Sequence, residues 1–476
     1  MTRLDLMRTI SPFLAVMGLM TLMTTSSQGQ TLAPVMQLAL ADNLPSVSKD
    51  IPGGSVAVDE LLAIVARNDL QAVKILLGKG MSAGVANDLG ATPLYAAAAL
   101  SDPAMTQMLL AAGADPNAAL QSGETPLMAA AYQGKVQTLQ ALLKGGADPN
   151  KREKNGGQSA LMWAIAERHP DAVEALIKGG ADIQALSKSG STALMFAAQQ
   201  PDPKYTNALI AAGANPNDVM GKTKMTPLLI ASAMGNTDVA ITLLEKGADP
   251  NAVDFRGFTP LHHAARDKRA LKLVLALLKH KADPNIRMAQ ARPVSFTTTY
   301  VALRGATPLV LASEINNFEI LKALVAGGAD PLIPTDSKTT ALMLAAGAGT
   351  DVVRPRGAVE RKTAIETVKF LVERGADVNG VGEYGWTPLH AAAYQGLNDV
   401  IEFLVARGGR LDVLDGYGQT PRSIAETILT RKIGASTLQI PRIFRKDTLD
   451  LLIKLGAPTP EESGVDIVLR RNTGAG

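Results

Sequence analysis

The chain has 476 residues, with 47 Lys and Arg against 44 Asp and Glu, for a formal net charge of +3 at pH 7. So small a charge excess favours neither a nucleic acid nor an acidic membrane as a partner. The chain has no Cys, which excludes disulfides, thiolate zinc sites and cysteine nucleophiles.

The first 29 residues are predicted to be a secretory signal peptide. Arg3 and Arg8 precede an apolar run over residues 10–23, and a polar segment with small residues follows. The alternative is an uncleaved membrane anchor, but the apolar run is shorter than the ~20 residues that span a bilayer. We therefore expect an exported protein, periplasmic or secreted, with no transmembrane span after cleavage. Residues 30–55 are rich in Pro, Ser and Gly and predict a flexible lead-in.

The lack of Cys is accompanied by the lack of any Asn-x-Ser/Thr glycosylation acceptor. In an exported chain, this combination indicates a bacterial more than a eukaryotic source.

Residues 123–150 contain the pattern of two short helices and a turn. Thr125 followed by Pro126 predicts a helix start, because the hydroxyl can accept an orphan backbone N–H and Pro at the first helical position has no N–H to lose. Apolar residues at helical spacing over 136–143 predict a second helix with one apolar stripe. The Gly pair at 145–146 predicts the end of that helix.

The Thr or Ser of this helix start recurs along the chain. Most successive spacings are 33 or 34 residues, and two are 48 and 47. The recurring residues are Thr92, Thr125, Ser159, Thr192, Thr226, Thr259, Thr307, Thr340, Thr387 and Thr420. A period of about 33 residues with a T-P-L-H-x-A pattern, as at 259–264, is the ankyrin signature. The chain therefore resembles the ankyrin-repeat family, from a first repeat near residues 58–62 to an eleventh that ends near 456–457.

The resemblance implies an all-α ankyrin-repeat solenoid of about eleven helix-turn-helix repeats with short β-hairpin fingers. We expect the array to occupy residues 56–460 and a C-terminal tail to occupy 461–476. The resemblance also implies a non-catalytic protein-protein interaction scaffold, which binds through the finger tips and first helices of its concave face.

Departures from the regular spacing predict insertions near residues 286–304, 347–363 and 427–446. Because the two helices of an ankyrin unit are antiparallel, the first insertion should project from the edge that carries the fingers. The other two should project from the opposite, far edge. These two flank repeat ten, so they could meet across it.

Signals for chemistry are weak. Residues 380–385 spell G-x-G-x-x-G, but the strand that should precede a dinucleotide-binding loop is missing, so we interpret them as an inter-repeat turn. His262 and His390 occupy the His of T-P-L-H, where the resemblance implies hydrogen bonds to neighbouring turns. His263 has no carboxylate at ligand spacing on its short helix. We therefore expect no cofactor, no metal and no enzymatic activity.

Aromatic residues are only 4% of the chain, yet they concentrate at the finger tips of the C-terminal half. Because Tyr, Trp and Arg dominate interface hot spots, we predict a partner surface there. Its residues are Phe255, Arg256, Phe258, Phe296, Tyr300, Tyr384, Trp386 and Tyr417. The alternative is that the rings pack against neighbouring fingers. If Phe258 and Trp386 are partner contacts, replacing them with Ala should weaken binding and leave thermal stability nearly unchanged.

The far-edge insertions are basic and have two interpretations. One is a second site for an acidic partner or for phosphate groups, formed by Arg354, Arg356, Arg361, Arg442 and Arg445. The other, which we favour for the last insertion because it also contains apolar residues, is a cap over the end of the stack.

Three classes of function remain open. The protein is a scaffold for one or more exported proteins, an inhibitor or protective partner of a secreted enzyme, or a cofactor-associated or catalytic envelope protein. The first is favoured, because nothing in the sequence selects an active site.

Overall fold

A computed structural model describes residues 58–289, 303–348, 358–382, 384–426, 429–430, 445–463 and 467–469. The predicted signal peptide and lead-in lie outside these residues, as do parts of all three predicted insertions and of the tail. Within the described ranges, no helix is long and apolar enough to cross a membrane.

The described residues form eleven successive pairs of helices, which confirms the predicted ankyrin-repeat architecture. The first five pairs are α1 (Val58–Ala66) and α2 (Leu70–Gly78), α3 (Pro93–Leu100) and α4 (Pro103–Ala111), α5 (Pro126–Tyr132) and α6 (Val136–Lys144), α7 (Ala160–Ala166) and α8 (Pro170–Lys178), and α9 (Ala193–Ala198) and α10 (Lys204–Ala211).

After a short 3₁₀ turn at Gly221–Thr223, six more pairs follow. They are α11 (Pro227–Met234) and α12 (Thr237–Glu245), α13 (Pro260–Ala265) and α14 (Leu271–Lys279), α15 (Pro308–Glu314) and α16 (Phe318–Ala326), α17 (Ala341–Ala345) and α18 (Ala358–Val372), α19 (Pro388–Gln395) and α20 (Asn398–Ala406), and α21 (Pro421–Ala425) and α22 (Lys446–Lys454).

The chain divides into two compact units, one up to Gly221 and one from Lys222 onwards. Within each unit, the first helices of adjacent repeats pack against one another, and the second helices do the same. First helices are thin and enclosed, so that α5 buries every residue from Pro126 to Ala131. Second helices bury a stripe, which in α6 includes Leu139 and Leu142. The core of each unit is thus made between repeats.

The predicted helix starts are confirmed at most markers. The Thr125 hydroxyl accepts the N–H of Met128 at 3.3 Å. The equivalent bond forms at Thr92, Thr226, Thr259, Thr307, Thr340, Thr387 and Thr420. It is missing at Ser159 and Thr192. The predicted helix end is also confirmed, because Gly146 has a left-handed φ of 91°.

Asparagines join successive repeats just beyond their second helices. Asn150 Nδ2 donates to the Gly180 carbonyl at 3.2 Å, and Asn150 Oδ1 accepts the Asp182 N–H at 2.7 Å. The same pair of bonds is made by Asn117, Asn251, Asn285 and Asn379. Each asparagine therefore pairs with a backbone carbonyl just beyond a helix end and with an N–H two residues later.

The named strands in the described part of the chain are one antiparallel pair, β1 (Leu429–Thr430) and β2 (Ile467–Leu469), with Leu429 opposite Leu469. This pair joins the third predicted insertion to the predicted tail. The fingers are tight turns, among which Arg152 and Ser159 form an isolated β-bridge.

Helix α18 has 15 residues, whereas the other second helices have eight or nine. Part of the second predicted insertion is therefore helical and lengthens α18 at its N-terminus.

We expect Asn150→Ala to lower the free energy of unfolding by about 1 kcal/mol, because two hydrogen bonds to the next repeat are lost. Urea denaturation followed by circular dichroism measures this change. Lys151→Ala is the control, since Lys151 is an exposed neighbour that makes neither bond. Equal losses in the two variants would contradict a linking role for Asn150.

Candidate functional site: the finger edge

Each finger is held both internally and by its neighbour. In repeat eleven, the Asp415 N–H donates to the Gln419 carbonyl at 2.9 Å and closes the turn. The Gly416 N–H donates to the Tyr384 carbonyl of the preceding finger at 2.6 Å. Equivalent inter-finger bonds run from Asp336 to Arg304 and from Phe255 to Thr223. The fingers therefore form a backbone framework on which side chains are held in fixed positions.

This close approach explains the glycine at the third position of the G-x-G-x-x-G pattern. Gly385 has a left-handed φ of 75°, and a Cβ built there would lie 2.6 Å from the Gly416 nitrogen. A side chain would thus collide with the neighbouring finger. The interpretation of residues 380–385 as an inter-repeat turn is confirmed.

A buried aspartate organises the last finger. Asp415 Oδ1 accepts the N–H groups of Tyr417 and Gln419, both at 2.8 Å. Asp415 Oδ2 accepts the Trp386 Nε1–H at 3.1 Å. One carboxylate therefore fixes its own turn and orients a ring from the preceding finger.

Asp254 has the equivalent role in the finger between repeats six and seven. Its Oδ1 accepts the N–H groups of Arg256 at 2.8 Å and Phe258 at 2.9 Å. Burial raises the pKa of the Asp254 carboxyl, and these backbone hydrogen bonds act in the opposite direction.

The predicted partner residues separate into exposed and structural groups. Phe255 and Tyr384 are each 40% exposed. Phe258 is only 5% exposed and packs on His262 and His263, with ring centroids 5.6 and 5.3 Å away. The prediction that Phe258 is a surface contact is therefore wrong, because the turn folds its ring under the finger.

Trp386 is intermediate between these groups. It is half-buried, stacks on His390 with 6.5 Å between centroids, and meets Tyr394 edge-on at 5.5 Å. With its bond to Asp415, the ring supports the finger. Replacing Trp386 with Ala is therefore expected to lower stability, whereas the sequence predicted nearly unchanged stability.

Exposed aliphatic residues beside the rings were missed by sequence reasoning. Val253, Val381 and Leu414 are 41%, 49% and 42% exposed. Each lies six residues before a helix-start Thr, but this position alone does not predict exposure, because Met220 at the same position is only 4% exposed.

The fingers of repeats ten and eleven bring two such positions together with two tyrosines. We call Val381, Tyr384, Leu414 and Tyr417 the finger patch. The pKa of Tyr417 is raised by burial and then by the nearby Tyr384 and Asp415, which places the two phenols within electrostatic reach. The patch thus combines exposed apolar side chains with two hydroxyl groups.

The finger that contains Phe255 presents a smaller surface of the same kind. The Arg256 guanidinium lies 5.0 Å from the centroid of the Phe255 ring, a cation–π distance. Val253 is exposed in the same finger.

The remaining predicted residues lie elsewhere. Phe296, Tyr300, Arg354, Arg356 and Arg442 fall outside the described residues. Arg361 is exposed, and Arg445 is half-buried with its Nε donating to the Tyr394 carbonyl at 2.8 Å.

Two histidines cap first helices as neutral rings. His390 Nδ1 accepts the Thr387 N–H at 3.2 Å, and its Nε2 donates to the Gln419 carbonyl at 3.0 Å. His262 makes the matching bonds to Thr259 at 3.1 Å and Ala306 at 3.2 Å. Burial lowers the pKa of each ring to about 4. The predicted hydrogen bonds to neighbouring turns are confirmed.

Burial also lowers the pKa of His263, to about 3. Within the described ranges, no group of three or more His, Asp or Glu side chains is placed to hold a metal ion.

Comparison with known families decides the assignment. A model described as "Ankyrin repeats (3 copies)" matches residues 61–153, 101–187, 138–220, 161–254 and 194–288. "Ankyrin repeats (many copies)" matches residues 371–425, and "Ankyrin repeat" matches 304–336. The chain belongs to the ankyrin-repeat family. Ankyrin repeats are generally non-enzymatic scaffolds that mediate protein–protein interaction.

Similarity to individual ankyrin proteins is local. The chain is 36% identical over 89 residues to the potassium channel AKT1 of Arabidopsis thaliana, covering 19% of this chain and 9% of that protein. It is 38% identical over 69 residues to the putative ankyrin repeat protein FPV031 of Fowlpox virus (strain NVSL), covering 14% and 17%. The matched segment is thus less than a fifth of either relative's length.

Solved ankyrin domains also resemble part of the chain. The ankyrin repeat domain of Bcl-3, described as a member of the IkappaB family, aligns with 48% of this chain and 99% of its own at 29% identity and a TM-score of 0.41. The human ASB11 ankyrin repeat domain aligns with 51% of this chain and 100% of its own at 25% identity and a TM-score of 0.42.

Two neighbouring phenylalanines of one ankyrin finger should respond differently to alanine. Phe258→Ala removes a buried ring and should lower the free energy of unfolding by about 3 kcal/mol. Phe255→Ala removes an exposed ring and should cost less than about 1 kcal/mol. Thermal and urea unfolding of both variants measure this difference, and equal losses would contradict the assigned burial.

The histidine caps should make stability depend on pH. The pKa of each buried ring is about 4, against about 6.5 in the unfolded chain, so the unfolded state binds protons first. Each cap should therefore contribute its full stability above pH ~6.5 and lose about 2 kcal/mol between pH 7.5 and 5.

Urea unfolding at these two pH values, for the natural protein and for His390→Gln, isolates the contribution of one cap. The variant should lose less stability on acidification. An unchanged pH dependence in the variant would show that the ring is not held neutral.

Proposed function

We propose that the protein is a non-catalytic binding scaffold that acts outside the cytoplasm and contacts its partner proteins mainly through the finger patch. The observation that carries this proposal is the placement of exposed apolar side chains on adjacent fingers that are tied by the Gly416–Tyr384 hydrogen bond. Family membership supports protein binding, and the exposed side chains of the finger patch support this location for it.

The finger patch has the physical properties of an interface centre. Tyr384 and Tyr417 offer large rings with few rotatable bonds, so their burial against a partner costs little side-chain entropy. Val381 and Leu414 add apolar area that would leave water on binding, at roughly 25 cal/mol per Å². The expected partner surface is therefore apolar.

Rigidity of the fingers should favour binding further. The Asp415 carboxylate and the inter-finger bond fix the turns before any partner arrives. Because little backbone ordering remains to be done, more of the contact free energy appears as affinity.

Action outside the cytoplasm is supported by the first 29 residues alone. Their basic start, apolar run and polar end have the order of a secretory signal peptide. N-terminal sequencing of the mature protein from fractionated cells tests this part. An intact N-terminus in the cytoplasmic fraction would overturn it without affecting the binding proposal.

The binding proposal is tested by crosslinking in the native compartment, followed by affinity measurements with the proteins recovered. Leu414→Ser should weaken partner binding by about tenfold, because it replaces apolar area that would leave water on binding with a polar group. Leu186→Ser is the matched control, because Leu186 holds the same repeat position in the other unit and is 49% exposed, compared with 42% for Leu414.

Equal binding by the two serine variants would reject the finger patch as the contact surface. If a recovered partner is a secreted enzyme whose activity changes on mixing, the protein acts as its inhibitor or protective partner. If the purified protein absorbs visible light, it carries a cofactor and the scaffold proposal fails.

A further inference from the structure

Residues at the N-cap of second helices have a shared structural role at the far edge of the repeats. Lys135 Nζ donates to the Ser101 carbonyl at 2.9 Å. His169 Nε2 donates to the Tyr132 carbonyl at 2.9 Å. In both cases one donor atom links a repeat to the end of the preceding first helix.

Arg445 occupies this position in repeat eleven, as the N-cap of α22. Its Nε donates to the Tyr394 carbonyl at 2.8 Å. Residues 394–396 repeat the Tyr-Gln-Gly sequence of 132–134, which His169 contacts with a single donor. Arg445 therefore has more N–H donors than the single one that is needed to bond the carbonyl at this position.

The additional donors of Arg445 are only partly used. Its Nη2 is buried and has no hydrogen-bond acceptor among the residues that the structure describes. A buried charged donor without an acceptor is costly, because it has lost its water. The missing partner should be a group that accepts several N–H bonds and carries negative charge.

A second guanidinium contributes to the positive charge at this position. Arg361, in the first turns of α18, lies close enough that its charge acts on Arg445. Burial lowers the pKa of Arg445 first, and Arg361 lowers it further. Arg361 and Arg445 are thus like charges within electrostatic reach of each other, and one of them is half-buried.

The geometry points to an oxyanion-binding site at the far edge of repeats nine to eleven, where Arg445 and Arg361 bind a phosphate group beside the Tyr394 loop. A phosphate offers several acceptor oxygens to the planar guanidinium fork, so it can use the Arg445 donors that the Tyr394 carbonyl leaves open. The site involves none of the finger-patch residues, so it is independent of the proposed partner surface.

The test uses the full chain and inorganic phosphate as the probe. Isothermal titration calorimetry and thermal unfolding are measured in phosphate and in chloride at equal ionic strength. The natural protein should bind phosphate and unfold at a higher temperature in it, because a ligand that binds only the folded state stabilises that state.

Substitutions separate the structural bond from anion binding. Arg445→Lys keeps a positive charge and, as at Lys135, one donor for the carbonyl, but it loses the fork and should weaken phosphate binding about tenfold. Arg361→Gln should also weaken it. Arg407→Gln is the control, since the exposed Arg407 stacks 4.8 Å from the Phe403 ring and should not matter.

The proposal is overturned if the natural protein shows no phosphate-specific effect at about 10 mM, or if both Arg445→Lys and Arg361→Gln bind like the natural protein. Circular dichroism checks the fold of each variant. If Arg445→Lys does not fold, the exposed Arg361 decides the question.

Phosphatidylcholine vesicles with and without phosphatidylglycerol identify the source of the phosphate group. Binding to the anionic vesicles that is lost in Arg361→Gln assigns the site to a lipid headgroup. Phosphate binding without vesicle binding assigns it to a soluble phosphate compound.

Discussion

Packing between neighbouring repeats is the interaction on which each unit depends. A single helix pair encloses too little apolar area to fold alone, since its first helix is short and its second has one apolar stripe. Leu139 and Leu142 become fully buried because adjacent repeats supply the missing walls. The helix starts, the left-handed glycines and the asparagine links then fix each repeat at the spacing that this packing requires.

The same regularity frees particular surfaces for function. Because backbone bonds and the Asp415 carboxylate hold the fingers, residues such as Tyr384 and Leu414 are not needed for the core and can meet a partner. At the opposite edge, Arg445 joins the far side of repeat ten with one donor and retains others for a ligand. At both surfaces, the side chains offer apolar area or hydrogen-bond donors beyond those that the fold itself uses.

Periodicity predicts position along the chain, but burial depends on the neighbouring repeat. The Thr-Pro helix starts, the capping histidines and the turn glycine Gly385 followed from local chemistry. Phe258 did not, because only the folded turn shows that its ring points under the finger. The exposure of Val253, Val381 and Leu414 was not predicted, because it depends on how the folded turns place these side chains. The β1–β2 pair was not predicted, because two short distant segments have no shared pattern.

The β1–β2 pair has a mechanical consequence. It closes a loop that contains α22, the last helix of the described array. Tension on the chain beyond β2 therefore reaches the strand pair before it reaches α22. The outer side of repeat eleven has no further described helix pair to hold it. The strand pair therefore protects this repeat from being the first to unfold under tension.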